Sequence, residues 1–285
     1  DNGQRTTDNR LFFLISQTMR NCVVLIGCGA MGKRHRERLR RRNCEFLAEL
    51  DSSEAVEEFM NAWGETYSEK KEKPILLIAS PATTHYEYAK RGLQLGFDVF
   101  VEKPLALNTN EANDLISLAL ARKRILFPGH SEHYHSQFAE LQKSFSEFWK
   151  PGAKISFFRH NLPSNRGLDV SVAFDLLVHD LELFFALVKN IKWEIVQVKK
   201  EEHFIELELL CEKRRVLFGV NRKASHSKRE IVMELEEKKK SVSFLENAKW
   251  DALEKEHEHF FESTFDSLLE EQNSALLAVK VASMV

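Results

Sequence analysis

The stretch that decides the fold is Cys22-Val23-Val24-Leu25-Ile26-Gly27-Cys28-Gly29-Ala30-Met31-Gly32. An apolar run leads into three glycines with the spacing G-x-G-x-x-G. The first glycine of such a motif makes a tight turn, the second lets backbone approach a pyrophosphate, and the third lets a helix pack closely on a strand. The N–H groups at the helix start then bind the pyrophosphate. We therefore expect a strand, a turn and a helix that bind a dinucleotide, the alternative being a glycine turn without a ligand. The predicted cofactor contacts here are Gly27, Gly29, Ala30, Met31 and Gly32.

Asp51 supports the dinucleotide interpretation. It ends the next apolar run and lies 24 positions after Gly27, close to the spacing of about 20 expected for a ribose-binding carboxylate. Ser52 and Ser53 follow it, where an arginine would favour a 2′-phosphate. Because a carboxylate accepts a hydrogen bond from the ribose 2′-hydroxyl and repels a 2′-phosphate, the sequence predicts NAD rather than NADP.

Length and composition restrict the function classes. The chain has 285 residues, of which 43% are hydrophobic, enough for one large or two medium domains. A net charge of −2 gives no basic field for nucleic acid or an anionic membrane, so neither is expected as a partner. Four scattered cysteines are typical of a cytoplasmic protein with reduced thiols. Residues 1–19 are expected to be a disordered extension.

The order of predicted elements divides the rest of the chain into two domains. Strands and helices alternate over residues 20–128, which predicts a doubly wound parallel sheet of the Rossmann type. Residues 129–285 are rich in strands joined by short polar turns, which predicts an α+β domain with a largely antiparallel open sheet. Its predicted helices are Val172–Val188, Trp250–Leu269 and Ala275–Val285, and the last is a candidate for packing back on the first domain. His257 and His259, on the long helix, are expected to be exposed.

Topology selects further cofactor residues. Ligands of open parallel sheets bind outside the carboxyl ends of the strands, where the stretches Gly27–Gly32, Ser80–His85 and Glu102-Lys103-Pro104 are predicted to lie. The alternative is that Lys103 is a solvent-exposed lysine of a loop and does not contact the cofactor. The residues assigned to the cofactor on this ground are Ser80, Pro81, Thr83, His85, Glu102 and Lys103.

The predicted helix Val172–Val188 is apolar nearly all round, so its polar exceptions are informative. Asp175 and His179 lie four positions apart, on one helix face. A carboxylate beside a histidine is expected to raise the imidazole pKa and suit it to proton transfer. The alternative is a structural pair that ties this helix to the other domain.

The histidine-dense stretch Gly129–His135 follows the last strand of the first predicted domain. No third-ligand cluster with a zinc spacing completes it, so no metal is predicted. Clefts form where strand ends meet a second domain. We therefore expect His130, His133 and Tyr134 to form a polar wall of a substrate pocket. Eight side chains are expected to converge on one cleft beside the nicotinamide: Glu102, Lys103, His130, His133, Tyr134, Arg159, Asp175 and His179.

Four motifs in order make the chain resemble the Gfo/Idh/MocA oxidoreductases, relatives of glucose–fructose oxidoreductase and inositol dehydrogenase. They are Gly27–Gly32, Ser80–His85, Glu102-Lys103-Pro104 and Asp175-Leu176-Leu177-Val178-His179-Asp180. By position, Lys103, Asp175 and His179 match the catalytic lysine, aspartate and histidine of the family. The resemblance also implies a homo-oligomer, a dimer or tetramer, assembled through the C-terminal sheet.

The pattern is most similar to family members that act on nucleotide sugars, such as UDP-N-acetylglucosamine 3-dehydrogenases. Gly129–His135 resembles their G-H-x-E-R-F-N stretch, although His133 replaces the arginine and His135 the asparagine. Arg159 and Arg166 complete the resemblance and are the implied substrate contacts. The implied function is NAD-dependent hydride transfer to or from a hydroxyl-bearing carbon of a sugar or nucleotide sugar. A reductase of a non-sugar substrate, similar to biliverdin reductases, and a non-catalytic dinucleotide-binding sensor remain as alternatives.

Overall fold

A computed structural model describes residues 22–66, 74–164, 167–245 and 248–285, with the backbone alone at 64–66. The predicted extension at 1–19 lies outside these ranges. The described residues form two compact units, each built from three chain segments. Unit 1 contains the described residues up to Glu102, Asp114–Phe127 and His257–Leu268. Unit 2 contains Lys103–Asn113, Pro128–Glu256 and Leu269–Val285.

The first sheet is parallel and has the strand order β2-β1-β3-β4-β5. Its strands are β1 (Cys22–Ile26), β2 (Glu45–Leu50), β3 (Ile75–Ile78), β4 (Asp98–Glu102) and β5 (Leu126–Gly129). All four residues of β3 are buried, as expected for a continuous apolar run in the middle of a doubly wound sheet. The order reverses beside β1, which is where such sheets bind ligands.

Four helices alternate with these strands. They are α1 (Ala30–Arg41), α2 (Ser53–Thr66), α3 (His85–Gln94) and α4 (Thr109–Arg122). The Ser52 hydroxyl accepts a hydrogen bond from the Ala55 N–H at 3.2 Å and caps α2. In α1, most basic side chains face solvent, whereas His35 and Leu39 are buried.

The second sheet has six strands in the order β11-β10-β6-β9-β8-β7. They are β6 (Lys154–His160), β7 (Glu194–Glu201), β8 (Phe204–Cys211), β9 (Arg214–Asn221), β10 (Lys228–Leu235) and β11 (Lys238–Ser243). Every neighbouring pair is antiparallel except β6 with β9. Alternate residues of β8 are buried, so one face of the sheet covers a core. The predicted fold class, a Rossmann domain followed by an α+β domain, is confirmed.

The helices of unit 2 depart from the prediction in three places. The predicted helix Val172–Val188 is helical over residues 172–187, but it begins with a π-helical turn, Ala173–Leu177, before α6 (Val178–Leu187). The helix α5 (Ser136–Phe148) was not predicted, although its buried residues recur at helical spacing. The expected long helix is shorter, α7 (Ala252–Glu262), because the residues around Ser267 form a turn, and α8 (Leu269–Met284) begins earlier than expected. Within the described ranges, no helix is long and apolar enough to span a bilayer.

Candidate active site

The three glycines of the first turn have three different surroundings. Gly27 has φ +91°, a conformation that L side chains rarely adopt. A methyl group added at Gly29 would meet no atom within 4 Å, whereas one added at Gly32 would lie 1.8 Å from the Gly27 carbonyl oxygen. The first glycine thus makes the turn, the second leaves open space, and the third packs the helix closely against the turn.

The carboxyl end of β2 is tied to this turn. Asp51 is exposed, and its Oδ1 accepts a hydrogen bond from the Cys28 N–H at 2.6 Å. Burial raises the pKa of the Cys28 thiol, and the nearby carboxylates of Asp51 and Glu49 raise it further. The turn is therefore held in place by the carboxylate that the sequence assigns to the ribose.

The loop after β3 is fixed by its own side chains. The Ser80 and Thr84 hydroxyls are hydrogen-bonded at 2.7 Å, and Thr84 Oγ1 also donates to the Pro81 carbonyl at 2.8 Å. The buried imidazole of His85 lies 3.0 Å, through Nε2, from the Ser80 carbonyl oxygen. His85 thus supports this loop from within the protein interior.

These residues fit a dinucleotide. The start of α1 has no side-chain cap and no acidic residue in its first turn, so no side chain of that turn competes with a ligand for its N–H groups. The space beside Gly29 lets a ligand approach the backbone closely. A pyrophosphate on these N–H groups and a ribose on Asp51 would use both features.

Glu102 belongs to a buried polar chain that the sequence did not predict. His35 Nε2 lies 2.7 Å from Glu102 Oε1, and His35 Nδ1 lies 2.8 Å from His257 Nε2. Both histidines are 0% exposed, so the expectation of an exposed His257 was wrong. Burial, with a further contribution from His35, lowers the pKa of His257 to about 2. His257 is therefore neutral in the fold.

In unit 2, Lys103 and Asp175 lie together. Lys103, whose peptide bond to Pro104 is cis, donates from Nζ to the Asp175 carbonyl at 3.0 Å and lies 3.8 Å from its carboxylate. Arg222 Nε is 3.9 Å from the other carboxylate oxygen and was not predicted. Burial raises the pKa of Asp175, although both cations oppose the shift. Gly167 packs so closely here that an added methyl would lie 2.4 Å from Oδ1 of Asp175.

His179 does not pair with Asp175. Among the described residues, the two share neither a hydrogen bond nor an ion pair, and Asp175 lies in the π-helical turn that precedes α6. His179 Nδ1 instead lies 3.7 Å from Glu132 Oε2. Burial lowers the pKa of His179 well below its usual value, and the charges of Lys103 and Arg159 lower it further. The expected rise in its pKa was therefore wrong, because burial and cations outweigh the nearby carboxylate.

Arg159 is the centre of a buried ionic cluster. It is 3% exposed, and it binds Glu132 through two bonds of 2.8 and 2.5 Å and Asp180 through bonds of 3.1 and 2.7 Å. Arg229 adds a contact of 3.4 Å to Glu132. Burial alone would raise the pKa of Glu132, but Arg159 and the other cations hold it well below its usual range. Arg166, the other arginine implied by the resemblance, lies outside the described residues.

Two histidines of the predicted pocket wall contact a buried carboxylate, Glu182. His130 Nδ1 lies 3.3 Å from Glu182 Oε2, His133 Nε2 contacts the same oxygen, and the Ser274 hydroxyl donates to Oε1 at 3.0 Å. Burial opposes protonation of His133, but Glu182 raises its pKa above the usual value. His133 also lines a cavity of about 630 Å³ formed with α5, α6 and α8.

Tyr134 and His135, in the same stretch, have other contacts. Burial, followed by nearby carboxylates, raises the pKa of the Tyr134 phenol, and the Tyr134 carbonyl accepts a hydrogen bond from the Trp250 indole at 2.6 Å. His135 caps α5 by accepting from the Gln137 N–H at 3.2 Å. In the part of the chain that the structure describes, no group of three metal-ligating side chains could hold a metal ion.

The predicted site residues are thus divided between the units. Unit 1 holds the glycine turn, Asp51, the loop after β3 and Glu102. Unit 2 holds Lys103, Asp175, His179, Arg159 and the residues of the histidine-dense stretch. The sequence missed Glu132 as a site residue although it lies inside that stretch, and it offered no signal for Arg222.

The first part of the chain matches the model of a known protein family. Residues 22–130 match the model of an oxidoreductase family with an NAD-binding Rossmann fold. That model is the one of the Gfo/Idh/MocA oxidoreductases. The resemblance predicted from the sequence is therefore confirmed, and the family binds a nicotinamide dinucleotide in this region.

Two curated relatives in this family act on sugars or cyclitols. The chain is 28% identical over 176 residues to UDP-N-acetylglucosamine 3-dehydrogenase of Acidithiobacillus ferrooxidans, which covers 57% of this chain and 53% of the relative. It is 24% identical over 198 residues to inositol 2-dehydrogenase of Ralstonia nicotianae, covering 64% and 59%. The matches span about half the length of the curated relatives.

Solved structures agree in fold over nearly the whole chain. The WlbA (WbpB) dehydrogenase of Thermus thermophilus, crystallised with NAD and UDP-GlcNAcA, superposes with a TM-score of 0.74 over 92% of this chain and 94% of that one, at 17% identity. UDP-N-acetylglucosamine 3-dehydrogenase GnnA of Acidithiobacillus ferrooxidans gives 0.68 over 92% and 97%, at 21% identity. At these identities the likeness shows the fold alone.

Proposed function

We propose that the chain is an NAD-dependent dehydrogenase of a sugar or nucleotide sugar. The observation that carries the proposal is the contact of Lys103 with Asp175, together with the effect of the Lys103 charge on His179, in a chain whose other unit has an open glycine turn. The relatives named as sugar or nucleotide-sugar dehydrogenases support the substrate class.

NAD is proposed over NADP because of Asp51. Its exposed carboxylate ends β2 and is anchored to the Cys28 N–H. A ribose 2′-hydroxyl can donate to this carboxylate, whereas a 2′-phosphate would be repelled. When bound, the dinucleotide supplies a nicotinamide that accepts or returns a hydride.

His179 is proposed as the general base. Its lowered pKa keeps the imidazole neutral near pH 7, so it has a lone pair for the hydroxyl proton of the substrate. As the carbon loses its hydride, the hydroxyl oxygen becomes a carbonyl oxygen and its proton passes to His179. In the reverse direction the same imidazole returns the proton.

Lys103 is proposed to bind the reacting oxygen. Its ammonium group donates to the Asp175 carbonyl, and an ammonium group can donate to a substrate oxygen in the same way. A cation beside this oxygen stabilises the negative charge that develops as the proton leaves. Asp175, with Arg222 behind it, orients the Lys103 side chain.

The test is a screen of free sugars and UDP-sugars for NADH formation by absorbance, followed by two variants. Lys103→Met and His179→Ala should each lower turnover by about 10²–10⁴-fold, as is typical of lost acid–base groups. NADH binding should persist in both variants, because its main contacts are assigned to the glycine turn and Asp51. Near-normal turnover of both variants on the true substrate would refute the assignment.

A further inference from the structure

The general base of the proposed reaction has an unexpected carboxylate beside it. The sequence places Asp175 and His179 on one helix face, yet the described contacts of the Asp175 side chain are with Lys103, Arg222 and Gly167. The carboxylate in contact with His179 is Glu132, which lies in the short helical turn Ser131–Tyr134. Asp175 is therefore the carboxylate near Lys103, and Glu132 is the carboxylate near His179.

Glu132 contacts two arginine side chains. Arg159 grips both of its oxygens at 2.8 and 2.5 Å, and Arg229 approaches Oε1 at 3.4 Å. Oε2, which accepts from Arg159, also faces Nδ1 of His179 at 3.7 Å. These cations keep the Glu132 carboxylate ionised, because they lower its pKa well below the usual range against the effect of burial.

The charges around His179 make its protonated form costly. The largest electrostatic effects on the imidazole come from the cations Lys103 and Arg159, the anion Glu132 and the neighbouring His130. Burial and the cations favour the neutral ring. Each turnover in the direction of oxidation must nevertheless leave a proton on this ring, inside a buried site where an unbalanced charge is expensive.

We propose that Glu132 is a positioning residue that orients the His179 imidazole and balances the positive charge it gains on taking the substrate proton. This inference rests on the proposed function, since it gives a role to a partner of the proposed base. Because Arg159 binds both carboxylate oxygens, Glu132 cannot turn away from His179 without breaking a two-bond contact. Glu132 therefore acts through His179 and need not touch the substrate.

The experiment replaces Glu132 with glutamine, which keeps the shape and removes the charge. Glu132→Gln should lower turnover at pH 7 at least tenfold, with the KM for the sugar and the affinity for NADH within about threefold of wild type. The acidic limb of the pH profile should move to lower pH, because loss of the anion lowers the pKa of His179 further. A purely structural role would change stability or KM without moving this limb.

Asp180 provides a matched control. It binds the same guanidinium of Arg159 from α6, but Glu132 is the carboxylate in contact with His179. Asp180→Asn should therefore lower turnover and move the acidic limb by clearly less than Glu132→Gln. Equal effects of the two variants, or turnover of Glu132→Gln within twofold of wild type, would overturn the proposal.

A second variant covers the case in which Glu132→Gln does not fold. Glu132→Asp keeps the charge and moves it by about one methylene, so it should retain more than a tenth of wild-type turnover with little change of the acidic limb. Complete loss of turnover in a Glu132→Asp protein that still binds NADH would overturn the proposal. The proposed function is judged separately: it fails if Lys103→Met and His179→Ala stay active, whatever Glu132 does.

Discussion

Gly167 offers a direct test of how closely Asp175 must be placed. An added methyl at this position would lie 2.4 Å from Asp175 Oδ1, and ordinary contact begins at 3.4 Å, so the carboxylate has to retreat by about 1 Å. A misplacement of this size in a catalytic group can cost about 10²-fold in rate. Gly167 also has φ +66°, where an L side chain costs ~1–2 kcal/mol. Gly167→Ala should therefore be both less stable and about 10²-fold slower.

Gly152 separates the two effects. It has φ +88° but no atom within 4 Å of an added methyl, so Gly152→Ala carries the backbone cost without a collision. Urea unfolding should show a loss of ~1–2 kcal/mol for Gly152→Ala and a larger loss for Gly167→Ala. Turnover measured in parallel should be near normal for Gly152→Ala and strongly lowered for Gly167→Ala. If the two alanine variants are equally active, Asp175 does not have to stay where the structure has it.

Three further predictions concern the cofactor turn and His133. Wild-type protein should bind NADH at least about tenfold more tightly than NADPH, since a charge clash of ~1.4 kcal/mol corresponds to a tenfold difference in affinity. In a fluorescence titration, Asp51→Ala should reduce this difference between the two affinities. Equal affinities in the wild type would contradict the NAD assignment. Gly32→Ala should abolish measurable NADH binding, because the methyl meets the Gly27 carbonyl at 1.8 Å; retained binding would show that the turn can rearrange. Glu182 raises the pKa of His133 in the folded protein. The pair therefore stabilises the fold fully below the unfolded pKa of about 6.5, and this stabilisation is lost as the pH rises through the higher folded pKa. His133→Phe should remove this loss in urea unfolding between pH 6 and pH 9, and an unchanged pH dependence would count against the pair.

Local patterns were sufficient for most of the Rossmann sheet. The run Ile75–Ile78 is apolar throughout and is buried throughout, because a central parallel strand has helices on both faces. The glycine spacing also predicted the tight turn at Gly27, which has a positive φ, and the close packing of Gly32 on the Gly27 carbonyl, five residues away. Such features depend on short-range geometry, and a single sequence contains that information.

The site of unit 2 depends on contacts that no local pattern encodes. The expectation that Asp175 and His179 pair at a spacing of four residues rests on a regular α-helix. Asp175 instead lies in a π-helical turn, Ala173–Leu177, and the two side chains have different partners. Glu132 and His179 meet only because distant segments fold together. His257 was judged exposed because histidine counts as polar in an amphipathic pattern, but His35 provides a polar partner inside the core. The helix Ser136–Phe148 did have a readable signal, the apolar spacing of Phe138, Leu141, Phe145 and Phe148.

The segment His257–Leu268 has a consequence for how the protein can be divided into fragments. Phe260 packs edge-on against Phe100 at 5.5 Å and Phe127 at 5.4 Å, and His257 closes the contact to His35. A fragment that ends at residue 130 would contain the whole family match and still lack this part of its own interior. Leaving out the Phe260 ring alone forfeits about 2 kcal/mol of apolar burial and exposes the aromatic pair beneath it. A fragment meant to contain all of unit 1 therefore needs the segment His257–Leu268 joined to it. The family match ends at residue 130, whereas unit 1 includes residues up to Leu268.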